Sequence, residues 1–130
     1  MEAFLGVRID RPGLESYCTR LLTHFGIRDA AAADCARALS EASLRGVDTH
    51  GVRLLPLYVK WVKGGRLNAG AEIKFERIAA SVGIVNADGG LGHPASYRAV
   101  DEAVALASET GVGVVAVHAT SHHGATGTYA

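Results

Sequence analysis

The sequence has few cysteines, few prolines, one tryptophan and no surplus of charge of either sign. Neither the number nor the spacing of Cys18 and Cys35 indicates a disulfide framework or a zinc site, so a reducing cytoplasm is the expected location. Thirteen basic residues balance thirteen acidic ones, which argues against nucleic acid and an anionic membrane surface as partners. No apolar run approaches the roughly 20 residues of a membrane span, and no secretory signal is visible.

What the sequence does contain is enough apolar material for one modest globular domain. Hydrophobic residues make up 48% of the 130 residues and charged residues 20%, a balance that excludes a disordered chain. The sixteen glycines are concentrated in the second half of the chain. The two halves therefore differ in the kind of structure that they predict.

Helical periodicity dominates the first half. Asp10 before Pro12 marks the start of a first helix, and Gly26 ends it. Asp29 is expected to cap a second, alanine-rich helix that runs to about Arg45. Small residues along one face of that helix favour close contact with the first, so the pair is expected to form a helical hairpin.

Two shorter segments flank this pair. A short extended piece is expected over Phe4 to Ile9, and a third helix over about Leu55 to Lys63. Pro56 suits the first turn of that helix, and Gly64 and Gly65 stop it. The cations near its end are interpreted as a solvated surface without function: Lys60, Lys63 and Arg66.

The second half changes to the twofold period of strands. Two strands are predicted over 72–78 and 82–87, paired as a hairpin, and a glycine-rich loop follows over 88–94. A helix and a continuous apolar strand over 112–117 come next, and such strands are typically buried on both faces of a sheet. The inner face of that helix is expected to carry Tyr97, Val100, Ala103, Val104 and Ala107. A helix between two strands predicts an α/β layer.

Polar side chains cluster at two places. Asp48, Thr49, His50 and Arg53 supply a carboxylate, a hydroxyl, an imidazole and a guanidinium, a set that can hold and protonate a small anionic substrate. In the other interpretation this stretch is a helix junction, where Asp48 or Thr49 caps the next helix and His50 is an ordinary surface residue.

The second cluster follows the apolar strand, where ligands of α/β sheets bind. It contains His118, His122 and His123. The spacing of His118 and His122 suits one metal ion only on a helix, and no acidic residue lies nearby, so no metal ligands are assigned. The glycine-rich stretches lack both G-x-G-x-x-G and a P-loop lysine, so no ordinary Rossmann motif is present.

Several stretches together resemble the malate/L-lactate dehydrogenase family, which includes sulfolactate and ureidoglycolate dehydrogenases. They are Asp48-Thr49-His50-Gly51-Val52, Leu55-Pro56-Leu57-Tyr58, Gly64-Gly65-Arg66-Leu67-Asn68, Gly111-Val112-Gly113-Val114-Val115-Ala116-Val117 and Ser121-His122-His123-Gly124. The resemblance implies a sulfolactate dehydrogenase-like α/β fold with a mixed sheet, distinct from the Rossmann fold, in a homodimer or larger homo-oligomer. The helical segment would cover about residues 10–66 and the α/β segment about 67–130.

The resemblance also implies an activity and residues for it. Family members use NAD or NADP to transfer a hydride between the nicotinamide and a small 2-hydroxy acid or its 2-keto or imino counterpart. By position, His50 and His122 match the two histidines near the substrate, and the choice of proton donor between them stays open. Thr49 replaces a serine that orients the neighbouring histidine, and Tyr58 matches a tyrosine near the substrate. His122 and Gly124 are assigned to cofactor binding.

The sequence departs from the family pattern at two positions. Leu54 stands where the family usually has its carboxylate-binding arginine, and Arg53 precedes it. A shift of one residue on a helix turns a side chain by about 100°. Either the local backbone therefore differs, or Arg53 does not bind the substrate. His123 stands where phenylalanine is usual.

The family is much longer than 130 residues, so the chain resembles the first part of a subunit. Residues 1–130 alone are expected to be inactive. Two alternatives from other classes stay open. One is a non-catalytic α/β fragment that associates with itself, and the other is a metal-binding module that uses His118, His122 and His123.

Overall fold

The helical hairpin forms the first layer of the fold. A computed structural model describes residues 8–130. Helix α1 spans Arg11–His24, and the carboxylate of Asp10 caps it by accepting a hydrogen bond from the backbone N–H of Gly13 at 2.8 Å. Helix α2 spans Asp29–Leu44 and packs along α1. Asp29 does not cap α2 as expected, because Asp29 is its first helical residue and Arg28 occupies the capping position without a side-chain bond.

A third helix closes the helical core. Two single-turn 3₁₀ helices, Asp48–His50 and Val52–Leu54, lead into α3, which spans Leu55–Lys63 as predicted. The extended piece expected over residues 4–9 lies largely outside the described residues. One apolar cluster joins the three helices: Cys18, Leu22, Ile27, Ala32, Cys35, Ala36, Leu39, Leu55, Tyr58, Leu67 and Leu91. The two cysteines of this cluster are buried free thiols.

The second half forms a mixed three-stranded sheet with one covering helix. Strands β1 (Lys74–Ala79) and β2 (Val82–Asn86) pair as the predicted antiparallel hairpin. Helix α4 (Gly92–Thr110) then crosses over to β3 (Val114–His118), which pairs with β2 in parallel. The strand order is β1-β2-β3. The predicted α/β fold with a mixed sheet is therefore confirmed.

Two expectations about the sheet layer are wrong. Helix α4 buries Ala95, Ala99 and Leu106, whereas Val100 and Val104 are 37% and 61% exposed. The helix begins at Gly92, inside the stretch expected to be a loop, and its residues nearest the N-terminus are the most deeply buried. Strand β3 is not buried on both faces either, since Val114 is 55% exposed. The reason is that α4 covers only one face of this strand, so exposed and partly buried residues alternate along it.

A small apolar cluster lies between α4 and the face of the sheet that this helix covers. Val85, Ala87, Ala95 and Ala99 form a buried cluster, against which Ile73, Phe75, Val115 and Val117 pack. Among the described residues, no helix is long and apolar enough to cross a membrane.

Candidate functional site

A hydrogen bond joins the two polar clusters that the sequence singles out. Tyr58 lies on α3 with its ring fully buried, and His122 lies in the turn after β3. The hydroxyl of Tyr58 and Nδ1 of His122 are 2.9 Å apart. The helical layer and the sheet layer therefore meet at this pair of side chains.

His50 completes a compact group of three side chains. Its imidazole stacks on that of His122, with ring centroids 5.4 Å apart and an angle of 30° between the planes. Thr49 Oγ1 lies 2.9 Å from His50 Nδ1, the contact that an orienting hydroxyl would make. The expected meeting of His50 and His122 is thus present in the structure.

The backbone of Gly124 favours one tautomer of neutral His122. The N–H of Gly124 donates to Nδ1 of His122 at 3.3 Å, and a backbone N–H can only donate. Nδ1 is therefore an acceptor in this arrangement, which places the proton of neutral His122 on Nε2. The hydroxyl of Tyr58 then also donates to Nδ1.

The electrostatics of the site favour uncharged side chains. Burial lowers the pKa of His122, and the neighbouring imidazoles of His50 and His123 lower it further. Burial also raises the pKa of Tyr58 well above its usual value. Tyr58 is therefore protonated at neutral pH and able to donate, in agreement with the tautomer of His122.

His93 is a residue of this region that the sequence analysis missed. It lies in the first turn of α4 and is completely buried, and neither ring nitrogen has a hydrogen-bond partner in the described part of the chain. Its ring meets that of Tyr58 edge to face at 5.4 Å. Burial lowers the pKa of His93 to about 3. Pro94 directly after it was a signal for a helix start that could have placed His93 inside α4.

Contact with His93 explains the glycine at position 124. Gly124 has φ +78°, and a Cβ there would lie 2.8 Å from Nε2 of His93. A side chain at this position would be strained and would also collide with the buried ring. His93 therefore lies directly beneath the turn that carries His122.

Hydrogen bonds hold the turn after β3 against the glycine-rich loop. The N–H of Gly89 donates to the carbonyl of Ala119 at 2.7 Å, and that of Ser121 donates to the carbonyl of Gly90 at 3.1 Å. Ala119 itself adopts φ 49°, which a non-glycine residue rarely does. The loop over 88–91 thus positions the turn that carries His122. This role differs from phosphate binding, which is a common function of glycine-rich loops.

Helix α2 positions the other half of the site. The backbone N–H of Val52 donates to Ser43 Oγ at 3.0 Å, which fixes the segment after His50. Neither Asp48 nor Thr49 forms a side-chain cap, so the junction interpretation in which they cap a helix is wrong. Arg53 is exposed on the second 3₁₀ helix and forms no ion pair within residues 8–130.

A small cleft opens beside His122. Its volume is about 140 Å³, and its lining residues are Trp61, Arg66, Gly89, Thr120, Ser121 and His122. The guanidinium carbon of Arg66 lies 4.7 Å from the centre of the Trp61 ring. Arg66 therefore forms part of the wall of this cleft, and its side chain is exposed to solvent, as the sequence predicted.

The second cluster contains two further histidines, of which His123 lies beside His122 with ring centroids 6.1 Å apart. His118 is exposed at the end of β3, and His123 stacks on Tyr129 with ring centroids 6.4 Å apart. Within residues 8–130 no three His, Cys, Asp or Glu side chains converge as metal ligands would. The geometry of these residues therefore gives the metal-binding alternative no support.

Comparisons with known proteins agree with the resemblance seen in the sequence. Malate dehydrogenase of Pyrococcus abyssi is 37% identical over 124 residues, which cover 95% of this chain and 34% of that protein. The (2R)-3-sulfolactate dehydrogenase (NADP(+)) of Chromohalobacter salexigens is 35% identical over 113 residues, covering 87% of this chain and 34% of its own length. The structure of malate dehydrogenase from Pyrococcus horikoshii OT3 superposes with a TM-score of 0.90 at 35% identity, covering 95% and 36% of the two chains.

The match extends over nearly the whole of this chain, and this chain spans about a third of the length of the relatives. Residues 9–130 match the sequence profile described as malate/L-lactate dehydrogenase. With the fold and the order of motifs in agreement, the chain belongs to the malate/L-lactate dehydrogenase family.

Proposed function

We propose that this chain supplies part of the active site of an NAD(P)-dependent oxidoreductase. The reaction is hydride transfer between the nicotinamide and C2 of a small 2-hydroxy acid or its 2-keto or imino counterpart. The observation that carries the proposal is the group formed by His50, Tyr58 and His122, which joins two distant segments of the chain. The names of the relatives, malate and sulfolactate dehydrogenases, support this substrate class.

The residues of the site suit the reactive end of such a cofactor. His122 presents a neutral, half-buried imidazole beside an open cleft, and Gly124 lies two residues further along the same turn. His122 and Gly124 are the residues that would hold the nicotinamide end, and the nicotinamide would accept the hydride in oxidation of the 2-hydroxy acid and donate it in the reverse reaction. One relative is named for NADP(+).

The two histidines have different hydrogen bonds, and we assign them different roles. Neutral His122 carries its proton on Nε2 and donates a hydrogen bond to the substrate oxygen, while Tyr58 and Gly124 hold Nδ1. His50 can donate from Nδ1 to Thr49 Oγ1, which leaves Nε2 to accept the proton from a 2-hydroxy group. Thr49 is thus the residue that orients the base.

Arg53 is proposed to bind the substrate directly, whereas the buried Tyr58 is proposed to act on the substrate through His122. Tyr58 acts through the hydrogen bond that positions His122, and its buried ring makes that position rigid. Arg53 has an exposed guanidinium, which suits the fork-like binding of a carboxylate. Substitution of Arg53 by alanine is then expected to affect KM more than kcat.

Steady-state kinetics of an enzyme that contains this segment test the assignment of the histidines. His50→Ala should lower kcat for 2-hydroxy acid oxidation by about 10²–10⁴-fold, because it removes the base. His122→Ala should instead lower kcat/KM while leaving the acidic limb of the pH profile in place. His24→Ala is a matched control, since His24 lies on α1 and its ring meets that of Phe25 edge to face.

The opposite pattern would contradict the assignment. If His122→Ala abolished the pH limb and His50→Ala kept it, the roles of the two histidines would be reversed. Full activity of both variants would show that neither histidine takes part in the reaction.

The proposal extends to assembly and location. A homodimer or larger homo-oligomer in the cytoplasm agrees with the two free, buried thiols and with the exposed apolar residues of the sheet layer, among them Val104, Val112 and Val114. The same exposed residues favour a second candidate, a non-catalytic fragment that associates with itself. Association without any response to NAD(P)H would favour that candidate.

A further inference from the structure

Arg66 presents a guanidinium to the cleft that His122 also lines, and within residues 8–130 it takes part in no ion pair. Its planar group lies over the ring of Trp61, 4.7 Å from the ring centre to the guanidinium carbon. Such stacking restrains the plane of the group and occupies one of its faces. The N–H groups at its edges stay available to bind an anion in a two-pronged fashion.

No carboxylate competes for this guanidinium in the wall of the cleft. The lining contains no acidic residue. Asp88, next to the lining residue Gly89, has its carboxylate engaged by the side chain of Asn68 at 3.1 Å and by the backbone N–H of Glu72 at 3.1 Å. Arg66 is therefore the cation of the cleft, and its field is not cancelled by a neighbouring acid on the wall.

The size of the cleft limits what can bind there. At about 140 Å³ it is well below the roughly 300–1,000 Å³ of pockets for drug-sized ligands. A small acid of a few carbon atoms suits this volume, and a nucleotide does not. Because His122 and Arg66 line the same cleft, one small molecule can contact both.

We infer that Arg66 binds a second anionic group of the substrate, so that the site prefers small 2-hydroxy acids with an anionic group at each end. The inference rests on the proposed function, which brings a 2-hydroxy acid to His122. It adds a specificity-determining residue at the far end of that substrate. A substrate with one carboxylate leaves Arg66 without a partner and binds more weakly.

Trp61 provides a direct probe of binding, because it is the only tryptophan of the 130-residue chain. Its emission is followed while malate, with two carboxylates, or lactate, with one, is added at constant ionic strength. We expect malate to bind at least about 10-fold more tightly than lactate. Arg66→Ala should weaken malate binding about 10- to 100-fold and change lactate binding less than twofold. Arg66→Lys should restore part of the malate affinity.

Lys63→Ala is the matched control, since it removes one positive charge from the last residue of α3, three residues before Arg66, and Lys63 does not line the cleft. It should leave both affinities within twofold. Equal effects of Arg66→Ala on malate and lactate, or no effect on either, would overturn the inference, as would an emission that neither acid changes. Inorganic phosphate binding as tightly as malate, with the same dependence on Arg66, would assign the cleft to a phosphate and also overturn it.

The binding measurement does not depend on whether hydride transfer takes place. A failed hydride-transfer proposal appears as absent NAD(P)H turnover, whereas the ratio of malate to lactate affinity is measured without cofactor. Circular dichroism of each variant establishes that it is folded before its affinities are compared.

Discussion

At the scale of single residues, the site consists of neutral groups held by burial. Tyr58 and His93 are completely buried, and His122 is partly buried above them. Burial raises the pKa of the phenol and lowers the pKa of both imidazoles, so all three are uncharged at neutral pH. Acid destabilises a folded protein with such a site, because its buried surroundings oppose protonation of the imidazole.

His93 gives this acid sensitivity a measurable size. Its pKa is about 3 in the folded protein and near 6.5 in the unfolded chain, so the unfolded chain binds more protons between these values. Above about pH 6.5, protonation of His93 therefore does not lower the free energy of unfolding. As the pH falls from 6.5 towards 3, protonation of the unfolded chain lowers it progressively. Between pH 7 and pH 5, His93 should account for a loss of about 2 kcal/mol in the free energy of unfolding.

Urea unfolding of the native chain and of His93→Gln at both pH values measures this loss. Glutamine does not titrate in this range, so the variant should lose about 2 kcal/mol less than the native chain on going from pH 7 to pH 5. His122 contributes a change of the same sign in both proteins. Equal losses in the two proteins would show that His93 is protonated as easily when folded as when unfolded.

The sequence singled out the stretches around His50 and His122 by their residue types, and the family resemblance added Tyr58; the structure brings these three side chains together, and their roles stay predictions. His93 and Arg66 could not be predicted. Whether a histidine is buried or an arginine lies over an aromatic ring depends on which elements pack together, and the sequence pattern alone does not contain that information.

At the scale of elements, α4 and β3 lie unusually close together. A Cβ at Gly113 would be 2.0 Å from the carbonyl oxygen of Ala103 on α4. Gly111, two residues earlier, has φ +83° and open space around its Cα. The two glycines are therefore needed for different reasons, one for close approach and the other for backbone conformation.

Substitution of each glycine by alanine separates the two reasons. Gly111→Ala should cost about 1–2 kcal/mol of stability, the penalty of left-handed backbone. Gly113→Ala should cost about 3 kcal/mol or more, because β3 must move away from α4. Thermal or urea unfolding measures both. A cost below about 1 kcal/mol for Gly113→Ala would mean that β3 is not held against the helix in this way.

Elements defined by local signals were predicted well. Helix α3 has the predicted ends, because a proline in its first turn and two glycines after its last residue act locally. The inner face of α4 was predicted wrongly, because both of its sides carry small and apolar residues. Which side is buried depends on where the sheet lies, a long-range property that the periodicity does not specify.

At the scale of the whole molecule, two layers meet at one site. The helical core and the sheet cluster are separate groups of buried side chains. Tyr58 belongs to the first, and the turn with His122 follows a strand of the second. The sequence predicted both layers and their order. It did not predict that one face of β3 is exposed within residues 8–130, because that depends on which elements pack against the sheet.

The central claim is that His50 and His122, from different layers, bind one substrate molecule. Nuclear magnetic resonance of the imidazole nitrogens tests it most directly. Without ligand, His122 should show a protonated Nε2 and an acceptor Nδ1. On addition of lactate, the signals of His50 and His122 should shift with one common dissociation constant, while those of His24 stay unchanged. Shifts in only one of the two histidines, or shifts of both with different constants, would contradict a shared site.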